Sequence, residues 1–281
     1  MDPDQKAVCS IIEKVVKSDR EERVTTVLRS ALGLKNREVI SLAGAGGKTT
    51  LMFRLARELF LEGKKVITTT TTKIFEPASG ETAFLFIHPR EEEIRKFVGQ
   101  HINEYRHLTI ASERLGSGKL KGISSDLVDS LWGLKEIDFI IVEADGAAGR
   151  PVKAPRQGEP VIPSVTTLVV AILGVDGLGM KVNGENMFQA ERVSRLTGIP
   201  EGSEMTEEGM AVLMTHPEGI FKGAPSSSRV IAFLNKVDIP DGAAKGRGVA
   251  QKIIERREPR IERIVLGQLR SEAAVSEVIF P

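Results

Sequence analysis

The chain has 281 residues, 41% hydrophobic and 27% charged, with a formal net charge of +1. That is enough apolar chain for one sizeable core, and the near-neutral balance, without a dense basic block, argues against nucleic acid as a partner. Cys9 is the only cysteine, which excludes a disulfide framework and a thiolate metal cluster and fits a reducing compartment, with cytoplasm as the expected location. The polar start MDPDQKAVCSIIEK predicts no signal peptide, and no apolar run reaches the length of a membrane span.

Residues 1–36 read as a charged helical element that docks on the body through Val15, Val16, Val24, Val27 and Leu28. From 37 to 281, apolar runs alternate with helical segments, the pattern of a wound α/β sheet. Strands are predicted at 39–43, 65–70, 83–87, 107–111, 139–143, 167–173, 230–234 and 261–266. Runs such as FIIV, LVVAIL and VIAFL are apolar on both faces, as in a mostly parallel sheet covered by helices. The segment at about 177–225 reads as an irregular, helical insertion beside that sheet.

The first chemical cluster is VISLAGAGGKTT, an apolar strand running into a glycine-rich turn. Gly44, Gly46 and Gly47 carry no Cβ to hold backbone amides away from an anion, and they accept positive φ angles. Gly44, Ala45, Gly46, Gly47, Lys48, Thr49 and Thr50 are thus candidate nucleotide-binding residues. Lys48 is placed to reach β- and γ-phosphates, Thr49 offers a hydroxyl to Mg²⁺, and a helix begins here with its positive end toward the phosphates. Leu51, Leu55, Leu59 and Phe60 share one face of that helix, Arg54, Arg57, Glu58 and Glu62 fall away from it, and Gly63 closes it. Counting back from Gly47 puts Leu42 where GxxxxGK[ST] has its first glycine, so the loop is a variant. As G-x-x-G-K-T-T from Gly44 it resembles the shortened loop of the Mur-ligase group, GTNGKTT.

The second cluster, DFIIVEADGAAGRPVKAP, delivers Glu143 and Asp145 to a strand's carboxyl end, where ligands of parallel sheets gather. Glu143 is the stronger candidate for the Mg²⁺ shell, and Lys48, Glu143 and Asp145 are the candidate catalytic residues. Arg150 and Lys153 are candidate cations for a γ-phosphate or a second anionic substrate. The third, VIAFLNKVD, brings Asn235, Lys236 and Asp238 to a loop and resembles the NKxD signature of GTP-binding proteins. There an Asp accepts two hydrogen bonds from guanine that adenine does not offer, so GTP is favoured over ATP. The fourth, KKVITTTTTKI, leads into a candidate switch in which Thr72 ligates Mg²⁺ and Lys73 feels the γ-phosphate. His88, His101, His107 and His216 show no metal-ligand spacing.

GAGGKTTLMFRLARE, TTTTKIF, VEADGAAGRPVKAP, VIPSVTTLVVA, THPEGIFKGAP and FLNKVD occur in this order. Together they resemble the YqeC-type family of accessory proteins for selenium-dependent molybdenum hydroxylases, over about residues 37–240. The resemblance implies a role in maturing those enzymes, with the hydroxylase or its cofactor as partner. A weaker similarity links Glu143 with Gly146, and Asn235 with Asp238, to the nickel-insertion GTPases of hydrogenase and urease maturation. The expectation is a Mg²⁺-dependent NTPase that binds GTP or ATP. A Mur-like ligase or small-molecule kinase and a non-catalytic nucleotide-binding module stand as alternatives, and a homodimer is left open.

Overall fold

The computed structural model describes residues 27–281. The chain enters through α1 (Val27–Ala31), β1 (Glu38–Gly44), α2 (Lys48–Leu61) and β2 (Val66–Thr70). Next come β3 (Lys73–Phe75), β4 (Phe84–Ile87), α3 (Glu91–Tyr105), β5 (His107–Ala111), β6 (Glu113–Arg114), β7 (Lys119–Lys121), α4 (Ser125–Trp132) and β8 (Phe139–Glu143). Then follow β9 (Val152–Lys153), β10 (Leu168–Gly174), a 3-10 turn (Val175–Gly177), β11 (Met187–Phe188), α5 (Ala190–Thr197) and α6 (Glu207–Thr215). The chain finishes with β12 (Arg229–Asn235), α7 (Gly242–Glu255), β13 (Ile261–Gly267) and β14 (Val275–Ile279).

Nine strands make one sheet in the order β14-β13-β12-β10-β1-β8-β2-β5-β4. Every neighbouring pair is parallel except β13 with β14. The fold is α/β with a mostly parallel sheet, and all eight expected strands lie within one residue of their predicted bounds. Double-sided burial explains why they were legible: β1, β2, β5, β8 and β10 are buried at every position. Alternation sorts their side chains. Phe139 and Ile141 of β8 pack on the α2 side with Leu51, Met52 and Leu55, while Ile140 and Val142 meet Ile94, Val98, Leu127 and Leu131 of α3 and α4. Val169, Ala171 and Leu173 of β10 pack with Val193, Met210, Leu213 and Val249 of α5, α6 and α7.

Six strands were not foreseen. β3, β7 and β6 form a small antiparallel sheet, β9 pairs with β11, and β14 closes an edge of the large sheet. All but β14 are two or three residues long, and β14 is only half-buried, so neither an apolar run nor a clean alternation announces them. The residues at 177–225 supply β11, α5 and α6.

Glu58 is a correction to the helical reading of α2. It lies on a buried face, where its carboxylate accepts the Leu28 and Arg29 amides at 3.0 and 2.7 Å and so caps the first turn of α1. Burial pushes its pKa up, against the pull of those amides. Gly63 does terminate α2: it adopts φ 82, and Lys64 N–H returns to Leu59 O at 3.0 Å. Leu28 is buried in the α2-side core and Val27 is half-buried, while Val15, Val16 and Val24 lie outside the described residues.

His107 begins β5 almost fully buried, with Nε2 3.2 Å from Thr68 Oγ1. Burial lowers its pKa to about 4 from an ordinary 6.5. The folded state therefore holds the ring neutral, and its contribution is present above pH 6.5 and lost as pH falls through 4. His107→Gln is expected to remove on the order of 3 kcal/mol of pH-dependent stability across that window, read by urea unfolding of both proteins at pH 7 and pH 4. Parallel pH profiles for the two proteins would contradict this.

Candidate functional site

β1 lies between β8 and β10 in the sheet. From β1 the chain crosses through α2 to β2 on the β8 side, whereas β10, β12 and β13 build outward on the other side. Parallel α/β sheets bind ligands at such a switch point, outside the strands' carboxyl ends. A cleft of about 950 Å³ opens there, lined by residues from the β1–α2 loop, the end of β8 and the loops after β12 and β13.

The β1–α2 loop has only three residues between strand and helix, Ala45 to Gly47. Its glycines are required twice over. Gly44, Gly46 and Gly47 have φ of 105, 81 and 148, and a Cβ on each would stand 2.1 Å from Ile172 O, 2.6 Å from Gly174 N and 2.3 Å from Asn235 Nδ2. The variant spacing has a simple cause. Leu42, at the position of the missing glycine, is a fully buried strand residue in register with Val170 and Glu143, so no turn is needed there.

Lys48 opens α2 with its ammonium turned back under the loop, 2.6 Å from Gly44 O, 3.3 Å from Asp145 Oδ1 and 3.7 Å from Glu143 Oε1. Burial opposes its charge, but Asp145 and then Glu143 outweigh that and hold its pKa above the usual lysine value. Burial pushes the Glu143 pKa up in spite of Lys48. Thr49 Oγ1 donates to Glu143 Oε2 at 2.7 Å, bringing together two of the three residues the sequence assigned to a metal, while the third, Thr72, turns its hydroxyl to Thr70. Asp145 accepts the Gly44 amide at 3.1 Å and pairs with Lys153 at 2.8 Å, both side chains fully buried. Lys153 also meets Gly146 O at 2.8 Å and Glu159 at 3.1 Å.

Asn235 ends β12 and stitches three elements: its Nδ2 donates to Gly46 O at 2.7 Å, and its Oδ1 accepts the Leu269 amide at 3.1 Å. Lys236 adopts φ 68 and reaches Asp176 Oδ2 at 2.6 Å, while Asp238 accepts Ser271 Oγ at 3.0 Å. Gly46, Gly47, Lys48, Thr49, Thr50, Glu143, Asn235, Lys236 and Asp238 all line the cleft, as do Lys73 and Arg150. Gly44, Ala45, Asp145, Lys153 and Thr72 stand outside its lining. The Thr72 hydroxyl faces that of Thr70 at 3.2 Å, and Thr70 Oγ1 donates to Glu143 O at 2.6 Å. Arg150 spends its guanidinium on the carbonyls of Gly184 and Ala148.

Sequence reasoning missed Asp176, Ser271 and the Leu269–Arg270 wall. Asp176 follows the apolar run of β10 as Glu143 follows β8, so the same carboxyl-end rule would have found it. The loop after β13 carries no motif. A nucleoside triphosphate with Mg²⁺ fits this chemistry: glycines leave room for an anion against backbone, Lys48 stands at the loop, and Thr49 with Glu143 offers hard oxygens. Among the described residues no group of three or more His, Cys, Asp or Glu is arranged to hold a metal by itself, and Mg²⁺ characteristically takes only one or two protein oxygens and completes its shell with phosphate and water.

The Asp145–Lys153 pair is costly to break, because removing Asp145 leaves Lys48 and Lys153 buried with only Glu143 and Glu159 to oppose them. Asp145→Ala is expected to cost roughly 3–5 kcal/mol in urea unfolding, and Lys153→Met in the same chain is expected to restore part of it. A loss below about 1 kcal/mol would mean that the pair is not buried as described.

The family model described as YqeC protein matches residues 40–191. The chain is 32% identical over 246 residues to a protein of Escherichia coli (strain K12) described as "Uncharacterized protein YqeC", covering 87% of this chain and 93% of that one. Among solved structures, the signal recognition particle receptor FtsY from Elizabethkingia anophelis aligns at 12% identity and a TM-score of 0.30, over 95% of this chain and 67% of that one. On the family match and the relative together, the chain belongs to the YqeC family.

Proposed function

We propose that this protein binds a Mg²⁺ nucleoside triphosphate across the carboxyl edge of its sheet and hydrolyses it, with GTP preferred. The observation that carries the reading is the convergence of Lys48, Thr49 and Glu143 beneath a loop whose glycines cannot bear side chains. Loop amides and Lys48 hold the phosphates, and the ammonium exchanges its contacts with Gly44 O and Asp145 for phosphate oxygens. Thr49 and Glu143 would hold Mg²⁺, which when bound neutralises phosphate charge. Glu143, its pKa raised by burial, is the residue placed to orient an attacking water. Asp145 positions the loop through the Gly44 amide.

At the other end, Asp238 is the guanine reader and Asn235 braces its loop against Gly46, so base and phosphate sites are mechanically joined. Membership of the family, together with the resemblance noted above, supports a place in the maturation of selenium-dependent molybdenum hydroxylases. There nucleotide state would govern a step of cofactor preparation or delivery.

Calorimetric titration with non-hydrolysable GTP and ATP analogues in Mg²⁺ tests this. GTP is expected to bind at least tenfold tighter than ATP, and Asp238→Asn to bring the two within a few-fold. Lys48→Ala is expected to weaken the triphosphate by a hundredfold or more; unchanged affinity would remove the loop from the account. Preference for ATP would favour the ligase or kinase reading that the shortened loop suggests.

A further inference from the structure

The cleft carries far more positive charge than the chain. Six basic side chains line it, against two acidic ones, in a protein whose formal net charge is +1. The acids are engaged, Glu143 with Thr49 and Lys48, Asp238 with Ser271. Lys73, Lys119, Arg150 and Arg270 have no carboxylate partner among the described residues. Arg150 turns its guanidinium to Gly184 O, in the segment after β10, whereas Lys73 on β3 beyond the end of β2 and Lys119 on β7 lie together on the other side of β1. The base loop after β12 lies on the opposite side.

Phe75 belongs to the same lip. It is 65% exposed, which is unusual for a large aromatic, and Lys119 Nζ stands 4.7 Å from its ring centroid. The small β3-β7-β6 sheet holds both in place, with Phe75 and Lys119 in register. Across from it the chain turns at Ala148, whose φ of 48 is uncommon for a residue with a Cβ, and strain of this kind clusters at ligand clamps.

We infer that this end of the cleft is a second substrate site, for a small molecule carrying both a flat ring and a phosphate. Phe75 offers a stacking face. Lys73 and Lys119 offer the anion's counter-charge, in a cleft that excludes part of the solvent. The inference rests on the triphosphate reading in one respect: with the base near Asp238 and the phosphates at Gly46 to Thr49, this side remains free next to the terminal phosphate. A second substrate here would meet the end of the triphosphate that reacts.

The test uses pyridoxine 5′-phosphate, a fluorescent ring phosphate without an aldehyde to trap lysines, titrated with and without a saturating non-hydrolysable GTP analogue. Binding is expected in both conditions. The Phe75→Ala/Lys119→Ala double variant is expected to weaken it at least tenfold with the affinity for the GTP analogue unchanged. Neither side chain belongs to the core, so the variant keeps its fold. Pyridoxine without phosphate, or inorganic phosphate alone, is expected to bind at least tenfold more weakly than the intact probe. No binding, equal binding by the double variant, displacement by the GTP analogue, or equal affinity for a ring-free phosphate would overturn the inference. Failure of the GTP analogue itself to bind would instead strike the triphosphate reading, and the probe's dependence on Phe75 and Lys119 would still decide this one.

Discussion

A row of buried charges beneath the β1–α2 loop is the constraint on which the site depends. Lys48, Asp145 and Lys153 are nearly or wholly removed from water, and each is tolerable only because its neighbours carry the opposite charge. Asp145 also receives the Gly44 amide, so the same carboxylate fixes the end of β1, the start of α2 and the loop after β8. Glu143 and Glu159 complete the alternation at its two ends. The Lys48 ammonium is thereby held in place at the β1–α2 loop by Gly44 O, Asp145 and Glu143.

Close packing of backbone on backbone is the second constraint. The loop lies against the ends of β10 and β12, where any Cβ on Gly44, Gly46 or Gly47 would collide with Ile172, Gly174 or Asn235. Asn235 turns that proximity into a connection, since one amide side chain binds both Gly46 and Leu269. The β1–α2 loop and the loops after β12 and β13 are therefore tied to one another through a single side chain. Lys236, tied to Asp176, extends the connection to the end of β10. The short loop follows from the same packing: Leu42 stays in the sheet, and the turn begins only at Gly44.

Much of this was legible in the sequence because the large sheet is buried on both faces, which writes each central strand as an uninterrupted apolar run. The carboxyl-end rule then placed Glu143 and Asp145, and the NKxD-like motif in VIAFLNKVD placed Asn235 at the end of its strand. What stayed hidden depends on long-range contact. Glu58 is spaced like a surface residue of α2, and only the arrival of α1 makes it a buried cap. Lys153 looks like an exposed loop cation, yet its distance from Asp145 in space is set by how the β8–β10 connection folds back. Phe75 and Lys119 belong to strands of three residues, too short to leave a periodic signal.

The central claim, that Thr49 and Glu143 form a Mg²⁺ site completed by nucleotide, is most directly tested by electron paramagnetic resonance with Mn²⁺ in place of Mg²⁺. Wild-type protein is expected to immobilise Mn²⁺ only when a non-hydrolysable GTP analogue is present, and Thr49→Val, which keeps the shape and removes the hydroxyl, to weaken that binding tenfold or more. Mn²⁺ bound equally well without nucleotide, or unaffected by Thr49→Val, would contradict it.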